Sequence, residues 1–523
     1  MTVLLANSVR RNSFRLLATG AITLSLLTAA CVPNLPVQSE DSENSRLRMF
    51  AAGLSDIDKV YLDAPDMTHL AVAGLEGLRQ IEPGLFIREG DGETRLSIGA
   101  ANVYSAKTPN DPNGWAAYFV TALERAAGVS VALEHAQNEK IFNAVFNNVS
   151  RKLDPYSRYA SAKKAAANRI KRQGFGGIGV SLKAHPKGAT ILKLAPGLPA
   201  EKSKLKVGDI IITIGDSAVA GFSVAKIRDL IRGPVNVPVS VRILRPGQSA
   251  AQRYLLERAR ITAKTVFDSY HKGIGVFRIN GFNRDTASAL ERALSKAQLR
   301  HGKKMRGIVL DLRNNPGGLL DQAVDIANLF LQGGQIIATK GRHKNSLQDF
   351  QATPGDILEG LPIAVLINGA TASAAEILAA ALQDNGRAVV IGSSSFGKGT
   401  VQTVLRLPND GEFILTWALI VAPSGYALQK LGVIPTVCTA GKSNAQLIIK
   451  QFQKGDFERS RTLLRLRRAA DFRDPRQQRR IKKLCPWRPN RDIGLDRRVA
   501  ELMLRAQDRY ARAANLARVP SGS

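Results

Sequence analysis

Three cysteines among 523 residues leave little material for a disulfide framework or a thiolate metal site. Cys438 and Cys485 have neither a CxxC spacing nor a histidine partner, so we expect no metal site. In an oxidising compartment these two could form a disulfide, and two separate thiols are the alternative. Aromatic residues make up only 6% of the chain and do not alternate with basic residues, which argues against nucleic acid as a partner. No segment after residue 30 is long and apolar enough to span a membrane.

Acidic residues are also scarce, because 43 Asp and Glu stand against 74 Lys and Arg, giving a net charge of +31. The surplus is concentrated in residues 441–523, which contain 22 basic and 8 acidic side chains. A solvated basic surface is one interpretation, and attraction to anionic lipid or another polyanion is the other. Because the composition changes only after Ala440, beyond every motif described below, we expect this extension to be peripheral to catalysis and removable near residue 445.

The N-terminus resembles an export signal. Three arginines between positions 10 and 15 precede the apolar run Leu16–Ala30, which is short for a spanning helix. The small residues before Cys31 resemble a bacterial lipoprotein processing site, which predicts lipidation of Cys31 and a membrane-anchored protein in the bacterial periplasm. Thr28 stands where such sites usually have leucine, so ordinary signal cleavage nearby is the alternative.

A serine and a lysine carry the candidate chemistry. Ser373 opens the apolar run Ala374–Leu382, which predicts a helix whose N-terminus offers free amide donors. Lys398 lies in a glycine-flanked turn, and none of the six histidines is near either residue. A serine hydrolase built here would need lysine as its base, which is workable if burial lowers the lysine pKa to roughly 7–8. For the serine alone, a helix cap is the simpler interpretation.

These segments resemble the carboxy-terminal processing, or tail-specific, peptidases, which use a Ser/Lys dyad. The motifs that carry the resemblance follow the family's order between residues 45 and 440, and they are Leu153–Ser157, Gly177–Val180, Asp311–Gly318, Asn368–Glu376 and Phe396–Gln402. The resemblance implies that Ser373 is the nucleophile, Lys398 the general base and Gln402 the residue that orients the base. Positions 398 and 402 would share one face of a strand, so the Gln402 amide oxygen could reach the amine.

Further residues follow from the same resemblance. An oxyanion hole needs two amides, and the candidates are Ala374 and either Gly317 or Gly318. Glu376 and Asp384 fall on family-matched positions and are expected to be supporting residues at most, since each could simply be a helix-terminal or solvated charge.

The chain is too long for one core, so several domains are expected. Short β-rich runs resemble a PDZ domain, and the alternating strands and helices that follow predict a sheet with helices on its faces. The expected fold is multidomain α/β, with a crotonase/ClpP-like protease core. The predicted segments are a signal (1–31), a tether (32–48), a helical region (49–165), the PDZ-like domain (170–262), the peptidase core (263–440) and a basic helical extension (441–523).

Glycines near residue 177 predict a peptide site in the PDZ-like domain. The amides of Gly177, Ile178, Gly179 and Val180 could point into one concavity that suits a chain-terminal carboxylate. A bound peptide would then extend the sheet as an added strand, while a hairpin without a ligand is the alternative. Residues 174–179 also fit GxGxxG, but a charged stretch precedes them and a strand pattern follows, so a nucleotide site is not expected.

Together these features predict an exported serine endopeptidase that recognises protein C-termini through a PDZ domain and needs no metal or organic cofactor. The expected partners are proteins or peptides with free C-termini, and a homo-oligomer or an adaptor protein are further candidates. Two alternatives stay open, namely a catalytically silent PDZ scaffold and an apolar-ligand-binding protein of the same fold.

Overall fold

The computed structural model describes residues 39–451, 457–487 and 494–519. The predicted signal segment, with Cys31, lies outside the described residues. By their contacts, the described residues from Ser45 onward form one compact unit. Among the helices described, none combines the length and apolarity needed to cross a membrane. Helices and sheets are both abundant, and the α/β class predicted from the sequence is confirmed.

The N-terminal region combines helices with a small antiparallel sheet, β1-β2-β3. Its elements are α1 (Ser39–Val60), α2 (Met67–Glu76), β1 (Leu85–Gly90), β2 (Glu93–Ile98), β3 (Ala101–Lys107), α3 (Pro112–Ala127), α4 (Val131–Glu134), α5 (Asn138–Leu153), β4 (Arg158–Ala160) and α6 (Ala162–Gln173). Helices form most of this region, as the sequence predicted, and the small sheet is a feature that the sequence did not indicate. Its first hairpin turns at Asp91 and Gly92, with φ of 54° and 75°, and Asp-Gly is favoured there because both positions need positive φ.

The next segment forms a β-rich domain, as the sequence predicted. Its elements are β5 (Phe175–Gly177), β6 (Val180–His185), β7 (Gly188–Leu194), α7 (Pro199–Lys202), β8 (Ile210–Ile214), β9 (Ser217–Ala218), α8 (Val224–Ile231), β10 (Pro238–Leu244), β11 (Gln252–Glu257) and β12 (Ala259–Ile261). The main sheet has the order β11-β10-β8-β7-β6, and its neighbours are antiparallel. Among the described strands, β6 therefore lies at an edge.

Strands and helices alternate in the following segment, in agreement with the sequence-based expectation. Its elements are β13 (Val266–His271), β14 (Ile274–Ile279), α9 (Thr286–His301), β15 (Gly307–Asp311), α10 (Leu320–Asn328), β16 (Gln335–Lys340), β17 (Gln348–Gln351), β18 (Ile363–Ile367), α11 (Ala374–Asp384), β19 (Ala388–Gly392), β20 (Thr400–Arg406), β21 (Glu412–Val421) and β22 (Val437–Cys438). The central sheet has the order β13-β14-β15-β18-β19-β22 and is parallel from β14 onward.

Burial explains why the central strands are continuous apolar runs. Every residue of β15, β18 and β19 is buried, as expected for parallel strands covered on both faces. All eleven residues of α11 are buried as well, which fixes the helix that begins directly after Ser373.

A second, antiparallel sheet joins this segment to the N-terminal region. Its order is β17-β16-β21-β20, and β4 pairs with β21. Aromatic packing strengthens the junction, because the ring of Phe146 in α5 meets Phe413 of β21 edge-on at 5.4 Å. The chain between α5 and β4, residues 154–157, lies beside β21, where Thr416 donates to Ser157 and to Asp154.

The C-terminal helices pack into both hydrophobic clusters that flank the central sheet. They are α12 (Ala445–Gln451), α13 (Phe457–Arg468), α14 (Pro475–Leu484), α15 (Leu495–Leu504) and α16 (Gln507–Ala517). Leu495, Val499 and Met503 of α15 are fully buried in one cluster with Val309 and Leu366 of the sheet. The extension is therefore part of the folded unit, because its apolar side chains complete the core. That it is peripheral to catalysis stays a prediction.

The two cysteines beyond the signal segment are paired. Cys438 in β22 and Cys485, just after α14, form a disulfide with an S–S distance of 2.06 Å. Of the two alternatives that the sequence left open, the structure shows the disulfide, which ties the extension covalently to the edge of the central sheet.

Two leucines of the extension test its place in the core. Leu504 is 1% exposed and packs on Gly307 of β15, whereas Leu447 is 52% exposed. We expect Leu504→Ala to lower the free energy of unfolding by about 2–5 kcal/mol, because it leaves a cavity. The matched variant Leu447→Ala should change it by less than about 0.5 kcal/mol. Urea unfolding measures both, and equal effects would contradict the assignment.

Candidate active site

Ser373 sits at the junction between β18 and α11 in an unusual backbone conformation. Its backbone φ angle is 57°, a value that non-glycine residues rarely adopt and keep only where the surrounding structure enforces it. Gly317 lies against it, since a Cβ placed on Gly317 would be 2.8 Å from the Ser373 Cβ. The amide of Ala372 donates to the carbonyl of Asn315 at 2.9 Å. The nucleophile candidate is thus held between the Asn-Pro-Gly-Gly turn and the start of a buried helix.

Lys398 lies in the loop between β19 and β20, with most of its side chain buried. Its ammonium nitrogen is 5.0 Å from the centroid of the Tyr156 ring. Burial lowers the pKa of Lys398 below its usual value, and the charge of Arg158 lowers it further, while Asp154 and Glu376 oppose the shift. Three of these neighbours belong to residues 154–158, so the Leu153–Ser157 motif is part of the site although the sequence assigned it no role.

A buried carboxylate connects the serine and lysine segments. Glu376, in the first turn of α11, is 0% exposed and accepts four hydrogen bonds. Its Oε2 accepts from the amides of Ser373 at 2.7 Å and Lys398 at 2.9 Å. Its Oε1 accepts from the amide of Gly397 at 2.7 Å and the hydroxyl of Ser395 at 2.5 Å. Because one oxygen binds both amides, the backbones of Ser373 and Lys398 are direct neighbours.

Glu376 is therefore a buried hydrogen-bond acceptor and not simply a helix-terminal or solvated charge. Burial raises the pKa of its carboxyl group, and the four donated hydrogen bonds act in the opposite direction. All four partners are donors, which suits a carboxylate that uses both oxygens as acceptors. A helix N-terminus also favours a negative charge at this position. Only long-range pairing between residues 376 and 395–398 reveals this role.

Gln402 is close to the site, but the predicted strand geometry is wrong. Lys398 precedes β20, and a bulge interrupts the pairing between Val401 and Gln402, so simple alternation from 398 to 402 does not apply. The Gln402 amide nitrogen donates to the hydroxyls of Thr400 at 2.9 Å and Thr416 at 3.3 Å. Thr416 in turn donates to Asp154 at 3.0 Å. These bonds fix the amide nitrogen and leave the Gln402 carbonyl oxygen as the available acceptor.

Within the described residues, the Ser373 hydroxyl and the Lys398 ammonium group form no hydrogen bond with each other, and neither does Lys398 with Gln402. Such bonds are often long without substrate and shorten only in the bound state. What the structure establishes is the adjacency of their backbones and the partial burial of the lysine.

The oxyanion candidates differ in availability. The Gly317 amide donates to the Asn315 side chain at 2.9 Å, which makes it the weaker candidate. For the amides of Gly318 and Ala374, the described part of the chain provides no acceptor. Ala374 opens α11, where the first amides have no partner inside the helix.

Asp384 lies at the opposite end of α11 from Ser373. Its carboxylate accepts from the Ser424 hydroxyl at 2.5 Å and from Arg468 of α13 at 2.9 Å. Arg467, which is fully buried, lies 3.8 Å from the same carboxylate. Eleven helical residues span about 16 Å, so Asp384 anchors the extension and does not reach the serine.

The predicted carboxylate loop, residues 177–180, adopts a conformation with free amides. Gly179 has φ of 84°, and a Cβ there would lie 2.5 Å from the Leu198 side chain, so only glycine fits. The carbonyls of Ile178 and Gly179 accept from the amides of Ala200 and Ala195, both at 2.8 Å. The described residues offer no acceptor for the amides of Ile178 and Gly179, which open onto a groove between β6 and α8.

Comparisons with known proteins agree with this architecture. Residues 273–439 match the model of peptidase family S41, and residues 168–244 match the PDZ domain model. The carboxy-terminal-processing protease of Bartonella bacilliformis is 36% identical over 337 residues, which cover 64% of this chain and 77% of that protein. The carboxyl-terminal-processing protease of a Synechocystis species is 32% identical over 305 residues, covering 57% and 70%.

Among solved structures, the photosystem II D1 C-terminal processing protease is 24% identical, with a TM-score of 0.37, covering 75% of this chain and 92% of its own. The family resemblance seen in the sequence motifs is confirmed by the sequence matches. The chain therefore belongs to peptidase family S41, the carboxy-terminal processing proteases, and carries a PDZ domain.

Proposed function

We propose that this protein is an exported serine endopeptidase that cleaves with a Ser373/Lys398 dyad and recognises substrate C-termini through its PDZ domain. The observation that carries the dyad is the Glu376 carboxylate, whose Oε2 binds the amides of both residues. A silent scaffold is disfavoured, because it would need neither the strained serine nor the partly buried lysine.

In the proposed reaction, the neutral Lys398 amine takes the proton of the Ser373 hydroxyl while its oxygen attacks the scissile carbonyl. The amides of Ala374 and Gly318 would donate to the oxyanion that forms. As the C–N bond breaks, Lys398 returns the proton to the leaving amine. Water then attacks the acyl-serine, again with Lys398 as base, and releases the second product with free serine.

Neighbouring residues prepare the lysine for this role. Removal from water favours the neutral amine, and Arg158 adds repulsion against the protonated form. The Gln402 carbonyl oxygen is free to accept a hydrogen bond from the amine, because Thr400 and Thr416 hold the amide nitrogen. Gln402 would therefore orient Lys398 without exchanging a proton.

C-terminus recognition rests on the loop at residues 177–180. The amides of Ile178 and Gly179 can satisfy a terminal carboxylate, and the edge strand β6 can pair with an extended peptide. Export and lipid anchoring rest on the sequence of residues 10–31 alone.

The pH dependence tests the dyad. Because Lys398 must be neutral to accept a proton, peptide cleavage should rise with pH through its lowered pKa.

Ser373→Ala and Lys398→Ala should each abolish turnover while the protein stays folded. Lys398→Arg should not restore activity, since a guanidinium stays protonated. Fragment analysis by mass spectrometry measures turnover, and near-normal activity of Lys398→Arg would refute the base assignment.

Glu376→Gln tests the carboxylate that joins the two segments. The glutamine side chain keeps one acceptor oxygen, but its NH2 group replaces the other and faces two of the four donors that now bind Glu376. Each buried donor left without an acceptor costs about 1–3 kcal/mol. We expect lower thermal stability together with a lower kcat. The exposed Glu291→Gln on α9 is the control and should change neither. A variant at 376 with unaltered kcat would show that the carboxylate does not position the dyad.

Membrane attachment tests the proposed lipidation. In cells that process bacterial lipoproteins, Cys31→Ser should move the protein from the membrane fraction to the soluble fraction, because the modified thiol is lost. Fractionation with immunodetection measures this, and N-terminal sequencing of the mature protein is the check. A mature N-terminus other than Cys31 would rule out the anchor.

A further inference from the structure

The groove of the PDZ domain has an open edge and a defined direction. β6 forms one wall as the edge strand, and α8 forms the other. Just beyond the end of α8, the amide of Gly233 donates to the carbonyl of Gly176 at 3.1 Å, so α8 ends beside the carboxylate loop. Residues earlier in α8 therefore lie progressively farther from that loop along the groove.

Charge in this groove has one sign. Its lining includes the apolar residues Ile178, Leu198 and Ile231. It also includes two arginines, Arg228 and Arg232, and no acidic residue. A pocket lined by both apolar and basic side chains suits a peptide end that is apolar at its last residue and negatively charged nearby.

The two arginines of the groove differ in their own contacts. Arg232 pairs with Asp229 at 3.6 Å and lies 4.2 Å from the Phe175 ring centroid. Arg228 is exposed, and in the described residues its guanidinium has no hydrogen bond or ion pair. Arg228 is thus the basic side chain of the groove whose binding capacity is unused.

Strand geometry specifies which peptide residue meets Arg228. A peptide with its carboxylate at residues 177–180 would run antiparallel to β6, and its last and third-last side chains would point to the same side. These two side chains are about 6.6 Å apart along a strand. Arg228 precedes Ile231 by three helical residues, or about 4.5 Å, and its long side chain covers the difference.

We propose that Arg228 makes the PDZ groove selective for C-termini that carry Asp or Glu two positions before an apolar last residue. The proposal rests on the C-terminus recognition proposed above and adds a substrate class to it. Arg228 would act as a specificity residue through a charge-assisted hydrogen bond to the peptide's carboxylate side chain.

The test measures peptide binding to the full chain carrying Ser373→Ala, which prevents turnover. Fluorescent decapeptides ending in Glu-Ala-Leu, Gln-Ala-Leu or Lys-Ala-Leu are titrated at low salt, each as the free acid and as the C-terminal amide. We expect the glutamate peptide to bind about three- to fivefold more tightly than the glutamine peptide, as for a partly exposed ion pair. High salt should reduce this ratio.

Variants on α8 assign the effect to one side chain. Arg228→Gln should remove the preference for glutamate, and Arg228→Glu should reverse it in favour of the lysine peptide. Lys226→Gln is the matched control, because it removes the same charge from the same helix at a side chain that lies over the Phe222 ring and outside the groove lining. It should keep the preference, and melting curves should show that all variants stay folded.

The outcomes separate this proposal from the function on which it depends. Equal binding of the glutamate and glutamine peptides, with free acids still favoured over amides, would overturn the role of Arg228 and leave C-terminus recognition intact. If Arg228→Gln instead removed the preference for free acid over amide, the arginine would serve the terminal carboxylate, and the proposal would also fall. Equal binding of acids and amides by the unaltered groove would reject C-terminus recognition itself.

Discussion

The Glu376 carboxylate is the interaction on which the arrangement of the candidate site depends. It is fully buried, and two segments that lie about twenty residues apart in sequence donate to it. Desolvation of a charge is costly, and only a complete set of donors offsets that cost. The four donors also fix the backbone on both sides of the site. The nucleophile candidate and the base candidate are therefore positioned by one group that takes no part in the proposed chemistry.

The backbone of Ser373 is strained, and the contacts around it, including the one with Glu376, hold it in that conformation. A non-glycine residue at φ of 57° needs surroundings that determine its conformation, and α11, Glu376 and the Gly317 turn supply them. A side chain at position 317 would collide with Ser373, so the glycine is needed for close approach. The same approach places Gly317 against the Ala374 amide, which links the local strain to the proposed oxyanion hole.

The sequence predicted the components better than their connections. The apolar runs of β15, β18 and β19 and the helix after Ser373 follow from local patterns, and the motifs singled out Ser373 and Lys398. The bulge before Gln402 depends on how β20 pairs with β21, and the contact between Tyr156 and Lys398 joins segments that are far apart in sequence. No local sequence pattern encodes either feature. The burial of α15 did have a signal, since Leu495, Val499 and Met503 recur at helical spacing, but the basic composition around them favoured an exposed helix.

Some of the basic residues of the C-terminal extension are buried and paired with an acidic group. Arg467 is fully buried over the Tyr426 ring, and together with Arg468 it faces Asp384, so part of the basic surplus is structural. The extension also reaches the loops of the candidate site. Arg313 after β15 binds Asp496 at 3.2 Å, and the Ser394 amide donates to the Cys485 carbonyl at 3.1 Å. These contacts reach the loops that precede Gly317 and Lys398. The extension, which the sequence indicated to be peripheral, therefore contacts the segments that carry the candidate site.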